Sequence, residues 1–192
     1  MKVSIEKKKQ ILDAASKSFS VFGYKATTMD QIAKIAGVAK GTIYTLFTNK
    51  EELFNEILTQ LIDEMSIVAQ KSIRTDVSFF ENLHTVLYNM LDFRRSHELT
   101  IKLSFEIREM GTPAAKEAMK KMENVMLAFI KKQVERAVEN GEMKECDPEI
   151  TAFVILKLYV TFISDWEKRH EPLTNKEISK LFQLYLVEGL QK

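Results

Sequence analysis

The run Thr28 to Lys50, TMDQIAKIAGVAKGTIYTLFTNK, sets two short helical patterns on either side of a glycine. Thr28 and Gln31 form a capping-box pair, which predicts a helix beginning at Met29. Ile32, Ala33 and Ala36 give that helix one narrow apolar edge. Gly37 then suits the left-handed backbone that a sharp helix stop requires. In the second pattern, Lys40-Gly41-Thr42-Ile43-Tyr44-Thr45, only Ile43 is plainly apolar before Leu46 and Phe47. Two helices so joined, the second polar on most of its surface, predict a helix-turn-helix whose second helix lies in a DNA major groove. The blander alternative is a small helical hairpin carrying solvated lysines.

The residue types suit groove chemistry. Gly41 costs roughly 1 kcal/mol inside a helix relative to alanine, so something must favour it. Close approach of the helix backbone to a sugar-phosphate chain is one such reason. Thr42 and Thr45 offer short hydroxyls to phosphates or base edges and methyls to a thymine methyl. Tyr44 brings a phenol to a phosphate, and Lys40 a cation to a phosphate or a guanine. Lys50 opens the next helix, with Asn49 as its cap and Glu52 as the expected capping-box partner.

Charge separates the same region from the rest. Residues 1–50 carry nine lysines against Glu6, Asp13 and Asp30, a net +6, so residues 51–192 hold −5 of the total of +1. A basic head on an acidic body turns the head toward a polyanion and the body away from it. Lys7, Lys8 and Lys9 fit a phosphate contact, although plain solvation accounts for them more simply.

The stretches ILDAASKSFSVFGYKATTMDQIAKIAGV, AKGTIYTLF and NKEELF, from Ile11 through Phe54, closely resemble the N-terminal domain of the TetR (tetracycline-repressor) family of bacterial transcriptional regulators. The resemblance implies an all-α homodimer, each chain having a three-helix DNA-binding head and a helical ligand-binding body. It places phosphate contacts on Thr27, Thr28, Tyr44 and Lys50, and base or groove contacts on Lys40, Gly41, Thr42 and Thr45. Two positions depart from the family pattern. Ala39 stands where a serine cap is common, and Leu46 where Tyr or His is common. The expected organisation is a helix-turn-helix domain over residues 1–50 and a helical effector-binding and dimerisation domain over residues 51–192.

Global features narrow the alternatives. A chain of 192 residues, 45% hydrophobic, is able to bury a sizeable core. No apolar run approaches the roughly 20 residues of a membrane span, and the charged N-terminus lacks the apolar segment of a secretory signal. Cys146, the single cysteine, excludes an intramolecular disulfide and a zinc-knuckle set, and fits a reduced cytoplasmic setting as an inert loop thiol. His84, His97 and His170 lack metal-like spacing. No serine-elbow, P-loop, dinucleotide or metal-ligand motif is present, so neither an enzyme nor a cofactor or metal is expected.

Beyond the head, local signals predict long helices. Ser78 with Glu81 opens one reaching about Arg95. Thr112 before Pro113 opens another that stops at Gly141. Asp147 before Pro148 and Thr174 with Glu177 open the last two. Leu99, Ile101, Leu103, Phe105 and Ile107 alternate with polar residues as in a strand. The same segment has a helical stripe of Leu99, Leu103, Ile107 and Met110, and no second strand exists to pair with it, so it is read as helix.

From Ala152 to Ile163 the chain is apolar almost all round, which predicts cover on more than one side. The final helix adds Ile178, Leu181, Phe182 and Tyr185 on one face, with Leu184 and Val187 elsewhere. Two such helices from each of two chains make a four-helix dimer interface. The alternative is a helix buried within one subunit. A dimer also matches DNA geometry, with two heads reading two half-sites of a palindromic operator in double-stranded DNA. Tyr88, Met90, Phe93, Phe105, Met122, Met126, Phe129, Phe162 and Trp166 are candidate contacts for a small lipophilic effector, set against the simpler role of core packing. Asp92, Glu106 and Asp165 are possible anchors for a cationic ligand, although exposed faces explain them more simply. The sequence therefore reads as a sequence-specific regulator, a repressor released from its operator by an effector. The alternatives are a non-specific architectural DNA-binding protein or a ligand-carrier bundle.

Overall fold

The computed structural model describes residues 2–166 and 169–187, with the side chains of residues 2–4, 163, 164, 175 and 187 outside that description. Ile163 and Val187, expected in the apolar C-terminal faces, are therefore outside the described side chains. The described residues form nine α-helices: α1 (Lys2–Ala26), α2 (Met29–Ile35), α3 (Lys40–Leu46), α4 (Lys50–Lys71), α5 (Phe79–Ser96), α6 (Glu98–Met110), α7 (Pro113–Glu139), α8 (Pro148–Val160) and α9 (Asn175–Phe182). Short π-helical segments, Thr161–Asp165 and Gln183–Val187, follow α8 and α9. Leu99 to Ile107 lies within α6. Its strand-like alternation arises because Ile101 and Phe105 are exposed while Leu99 and Leu103 are buried.

The helix boundaries follow the local chemistry. Ser78 and Glu81 exchange bonds across the first turn of α5, and Thr174 and Glu177 do the same for α9. The Asp147 carboxylate accepts the N–H groups of Glu149 and Ile150 at 2.9 and 3.0 Å, next to Pro148, whose missing N–H costs nothing at a helix start. Gly37, Gly111 and Gly141 end their helices at φ of 65°, 63° and 73°. Thr112 departs from expectation: it precedes α7, but its buried hydroxyl has no hydrogen-bond partner and caps nothing.

Packing divides the chain into two compact units, residues 1–64 with 94–121 and residues 65–93 with 122–192. In the first unit, Ile11, Ala15 and Phe19 of α1, Ile32 of α2, Ile43 of α3 and Leu53, Phe54 and Ile57 of α4 form one apolar core. The Phe19 and Phe54 rings meet edge-on with centroids 5.1 Å apart. The same unit includes α6, which packs along α1. The second unit buries Leu83, Leu87 and Met90 of α5, Met122, Met126 and Ile130 of α7, and Ile155 and Tyr159 of α8. The buried Tyr159 hydroxyl lies 2.5 Å from His84 Nδ1 and 3.1 Å from the His84 carbonyl, and burial pushes the phenol pKa well above its ordinary value.

Candidate nucleic-acid interface

The turn between α2 and α3 is held from both sides. The Thr28 hydroxyl accepts the Gln31 N–H, and the Gln31 side chain returns to the Thr28 N–H at 2.9 Å, completing the capping box. At the other end the Ala36 and Val38 N–H groups bond to the Ile32 and Ala33 carbonyls, so Gly37 can turn the chain. Helix α3 then starts at Ala39 with no side-chain cap.

Only Ile43 of α3 is fully buried. It anchors the helix and leaves Lys40, Gly41, Tyr44 and Thr45 exposed, with Thr42 half-buried. A Cβ on Gly41 would meet no described atom within 4 Å beyond its chain neighbours and its own helix backbone, so no tertiary contact among the described residues requires glycine there. Thr45 Oγ1 donates to the Gly41 and Thr42 carbonyls at 2.9 and 3.0 Å, so its hydroxyl proton is engaged within the helix. Tyr44 is 45% exposed. Lys40 is paired with Asp30 at 2.9 Å, and that hydrogen bond holds the ammonium pKa above its usual value. Both groups are exposed, so the pair is easily exchanged for a phosphate.

Two of the expected phosphate contacts make hydrogen bonds inside the head. Thr27 has no exposed surface, and its hydroxyl bonds inward to the Ser18 and Gly23 carbonyls at 3.2 and 2.7 Å. The structure thus removes Thr27 from the surface set. Lys50 is half-buried. Its ammonium donates to the Tyr24 and Thr27 carbonyls at 2.8 and 2.9 Å and sits 4.4 Å from the Tyr24 ring centre. Burial lowers its pKa and the charge of Glu106 opposes that shift. Two of its three protons are used on main-chain carbonyls inside the head, leaving one without such a bond. Asn49 caps the next helix as expected, accepting the Glu52 N–H at 2.8 Å. The Glu52 carboxylate, however, reaches the Thr48 N–H rather than that of Asn49.

Glu106, expected on an exposed face, is instead 3% exposed. It accepts the N–H groups of Tyr24 and Lys25 at 2.7 and 3.0 Å, just after α1 leaves helical geometry at Gly23. Nothing in its sequence neighbourhood points there, because the partners are main-chain groups some 80 residues away. Asp92 and Asp165 are exposed.

The effector candidates are dispersed. Phe105 belongs to the first unit and is exposed, with the Lys102 ammonium and Arg108 guanidinium 5.7 and 5.3 Å from its ring centre, so it is a surface residue. Met90, Met122 and Met126 are buried core. Tyr88 and Phe93 are half-buried, and Phe162 lies against Tyr185, ring centres 6.2 Å apart. Trp166 stacks on His170 at 4.0 Å and donates its indole N–H to the Glu171 carbonyl. Phe129 lines a cavity of about 180 Å³ with Leu83, Val86, Gln133 and Arg136. A larger cleft in the same unit, about 510 Å³, is walled by Arg74, Phe80, His84 and Phe182. Phe80 and Phe182 were not among the sequence candidates, since residue type alone does not tell which aromatic faces a cleft.

On α8, Ile150, Phe153 and Val154 are exposed, Phe153 by 51%, and Leu184 and Tyr185 after α9 are exposed too. Among the described residues no group of three or more His, Cys, Asp or Glu is placed to hold a metal, and no helix is long and apolar enough to cross a membrane.

Comparison with known proteins shows the family and the fold. The family described as bacterial regulatory proteins, tetR family, matches residues 11–57, and a tetracyclin repressor-like C-terminal domain matches residues 76–190. The uncharacterized HTH-type transcriptional regulator YhgD of Bacillus subtilis (strain 168) is 53% identical over 188 residues, 98% of each chain. The fatty acid metabolism regulator protein of the same organism is 30% identical over 199 residues, 99% of this chain and 98% of its own. Among solved structures, the fatty acid degradation regulator FadR from Bacillus halodurans shares the fold, with a TM-score of 0.66 and 23% identity over 94% of this chain and 96% of that one. The relatives are regulators rather than enzymes. The chain belongs to the TetR family of bacterial transcriptional regulators.

Proposed function

We propose that the protein binds a palindromic operator as a homodimer in the cytoplasm and represses transcription until a small lipophilic effector releases it. The observation that carries this reading is α3, a helix anchored by Ile43 whose exposed residues, Lys40, Gly41, Tyr44 and Thr45, include a glycine set in open space. We assign DNA recognition to residues 1–50, with Lys40, Gly41, Thr42 and Thr45 toward the groove and Thr28, Tyr44 and the spare proton of Lys50 toward phosphates. Residues 51–192 take dimerisation and effector binding. The exposed apolar residues of α8 supply a surface that a second copy would cover.

Release follows if effector binding favours a spacing of the two heads that no longer matches successive major grooves. An effector shifts that balance only by its preference between the two states. Moving it from 99:1 to 1:99 takes about 5.5 kcal/mol of differential affinity. Helix α4 begins beside α3 and extends past the first unit, so it is the natural lever. Kinship with a fatty acid metabolism regulator makes acyl compounds the first class to test.

Footprinting of the purified protein on genomic fragments tests the reading. The expected result is protection of one short palindrome, lost when an acyl compound binds. Uniform coverage of any duplex contradicts specific recognition, and binding of the compound with undiminished protection contradicts induction.

A further inference from the structure

Helix α1 does not run unbroken to its end. At Gly23 the backbone adopts φ 84° and ψ 169°, a conformation that L side chains rarely reach, and a single turn, Tyr24 to Ala26, leads on to α2. A break of this kind orphans the N–H groups that begin the new turn. Two of them, on Tyr24 and Lys25, are taken by the Glu106 carboxylate at 2.7 and 3.0 Å. The carbonyls on the far side of the same turn, of Tyr24 and Thr27, are taken by the Lys50 ammonium. Thr27 closes the remaining side with its bonds to the Ser18 and Gly23 carbonyls. The segment that aims α2 and α3 is thus gripped by an anion from α6 and a cation from the first residue of α4.

The fit at Gly23 is close. A Cβ on this residue would stand 2.4 Å from Glu106 Oε2, so glycine admits the carboxylate as well as the φ value. A buried carboxylate bonded to main-chain N–H groups forms charge-assisted bonds, stronger than those between neutral groups. We infer that Glu106 is a positioning residue for operator recognition: by capping the break at Gly23 it fixes the direction of α2 and hence of α3, so the DNA-binding head is completed by a helix outside the helix-turn-helix. The inference rests on the reading of α3 as the DNA-contacting helix. Lys50, expected at a phosphate, takes a second role as the cationic half of the same grip.

The sign of one substitution separates positioning from electrostatics. Glu106→Gln removes a negative charge from the head, which alone would tighten binding to a polyanion. It also replaces one acceptor oxygen by an amide NH2 that faces a main-chain N–H, so positioning gives the opposite result. The test uses the full chain and a duplex carrying the footprinted palindrome, with a scrambled duplex of equal length, at fixed salt and at a temperature where circular dichroism shows every variant folded. Glu106→Gln is expected to bind the palindrome about tenfold more weakly than wild type, a loss of about 1.4 kcal/mol. Glu106→Asp, which keeps the charge but shortens the reach, falls between them. Leu87→Ala, a core change in the other unit, lowers Tm without altering the affinity.

Equal or tighter binding by Glu106→Gln overturns the inference, as does an equal loss in Leu87→Ala at matched Tm. Amide exchange supplies an arm that needs no DNA. The Tyr24 and Lys25 N–H groups exchange slowly in wild type and quickly in Glu106→Gln; fast exchange in wild type would overturn the cap. Failure of wild type to prefer the palindrome over the scrambled duplex is a different outcome. It removes the proposed function and leaves the cap at Gly23 to be judged by exchange alone.

Discussion

Among the described residues, helices α3 and α8 each expose one face, and the two faces are opposite in chemistry. Helix α3 buries Ile43 and exposes Lys40, Gly41, Tyr44 and Thr45. Helix α8 buries Thr151, Ala152, Ile155, Leu156 and Tyr159 and exposes Ile150, Phe153 and Val154. A face of hydroxyls, a cation and bare backbone gains little from leaving water unless its partner supplies hydrogen-bond acceptors in fixed places, as phosphates and base edges do. A face of Phe, Ile and Val gains simply by being covered, at about 25 cal/mol per Å² of apolar surface removed from water. The residual chemistry of each helix thus suits the partner proposed for it: DNA for α3, a second copy for α8.

The largest expected effect breaks the α8 side of that contrast. Phe153→Glu sets a charge in the apolar face and is expected to yield monomers by sedimentation. Operator affinity then falls by about 100-fold or more, because the second head no longer binds at high effective concentration. A dimeric variant with normal affinity would move the interface elsewhere.

Next comes α3 itself. Tyr44→Ala removes a half-exposed side chain, so Tm is expected to hold. Titration across salt concentrations is expected to show binding about tenfold weaker with the log–log salt slope unchanged, because a neutral phenol displaces no counterion when it meets a phosphate. A lowered Tm with unchanged binding would make Tyr44 a packing residue instead.

Gly41→Ala sharpens the comparison, because the two readouts should diverge. Space around Gly41 is open, so alanine is expected to raise head stability by about 1 kcal/mol through helix propensity. Operator affinity should fall, because the added methyl keeps the helix backbone off the sugar-phosphate chain. A rise in both quantities would remove the reason for a glycine here.

The smallest effect is a response to acid at the helix caps. Hydrogen bonds from Thr48 hold the Glu52 carboxyl below its usual 4.5, and those from Thr174 do the same for Glu177. A depressed folded-state pKa means a stabilising contribution fully present above the unfolded value and lost as pH falls through the lowered one. Thermal melts should therefore lose a small increment below about pH 4.5 that Glu52→Gln and Glu177→Gln no longer show. Identical melts for the variants and wild type across this range would dismiss the two carboxylates as caps.

What the sequence revealed depended on distance along the chain. The caps at Thr28, Ser78, Asp147 and Thr174 each bond within three residues, so residue type and spacing sufficed. The helix-turn-helix was legible for the same reason. Glu106 was not, because its partners are the N–H groups of Tyr24 and Lys25, which carry no residue-type signal. Thr27 and Lys50 stand beside exposed positions, but their hydrogen bonds to α1 and its following turn draw them inward. Phe105 shows the limit of reading by residue type: an aromatic ring on α6 is held at the surface between two cations.

The most direct measurement is the ratio of affinities of the purified protein for its footprinted palindrome and for a scrambled duplex, at one physiological salt concentration. Groove reading by α3 predicts a ratio of about 10³ or more. A ratio near one, with both affinities falling alike as salt rises, would mean that the head grips phosphates without reading bases, and specific regulation by α3 would be wrong.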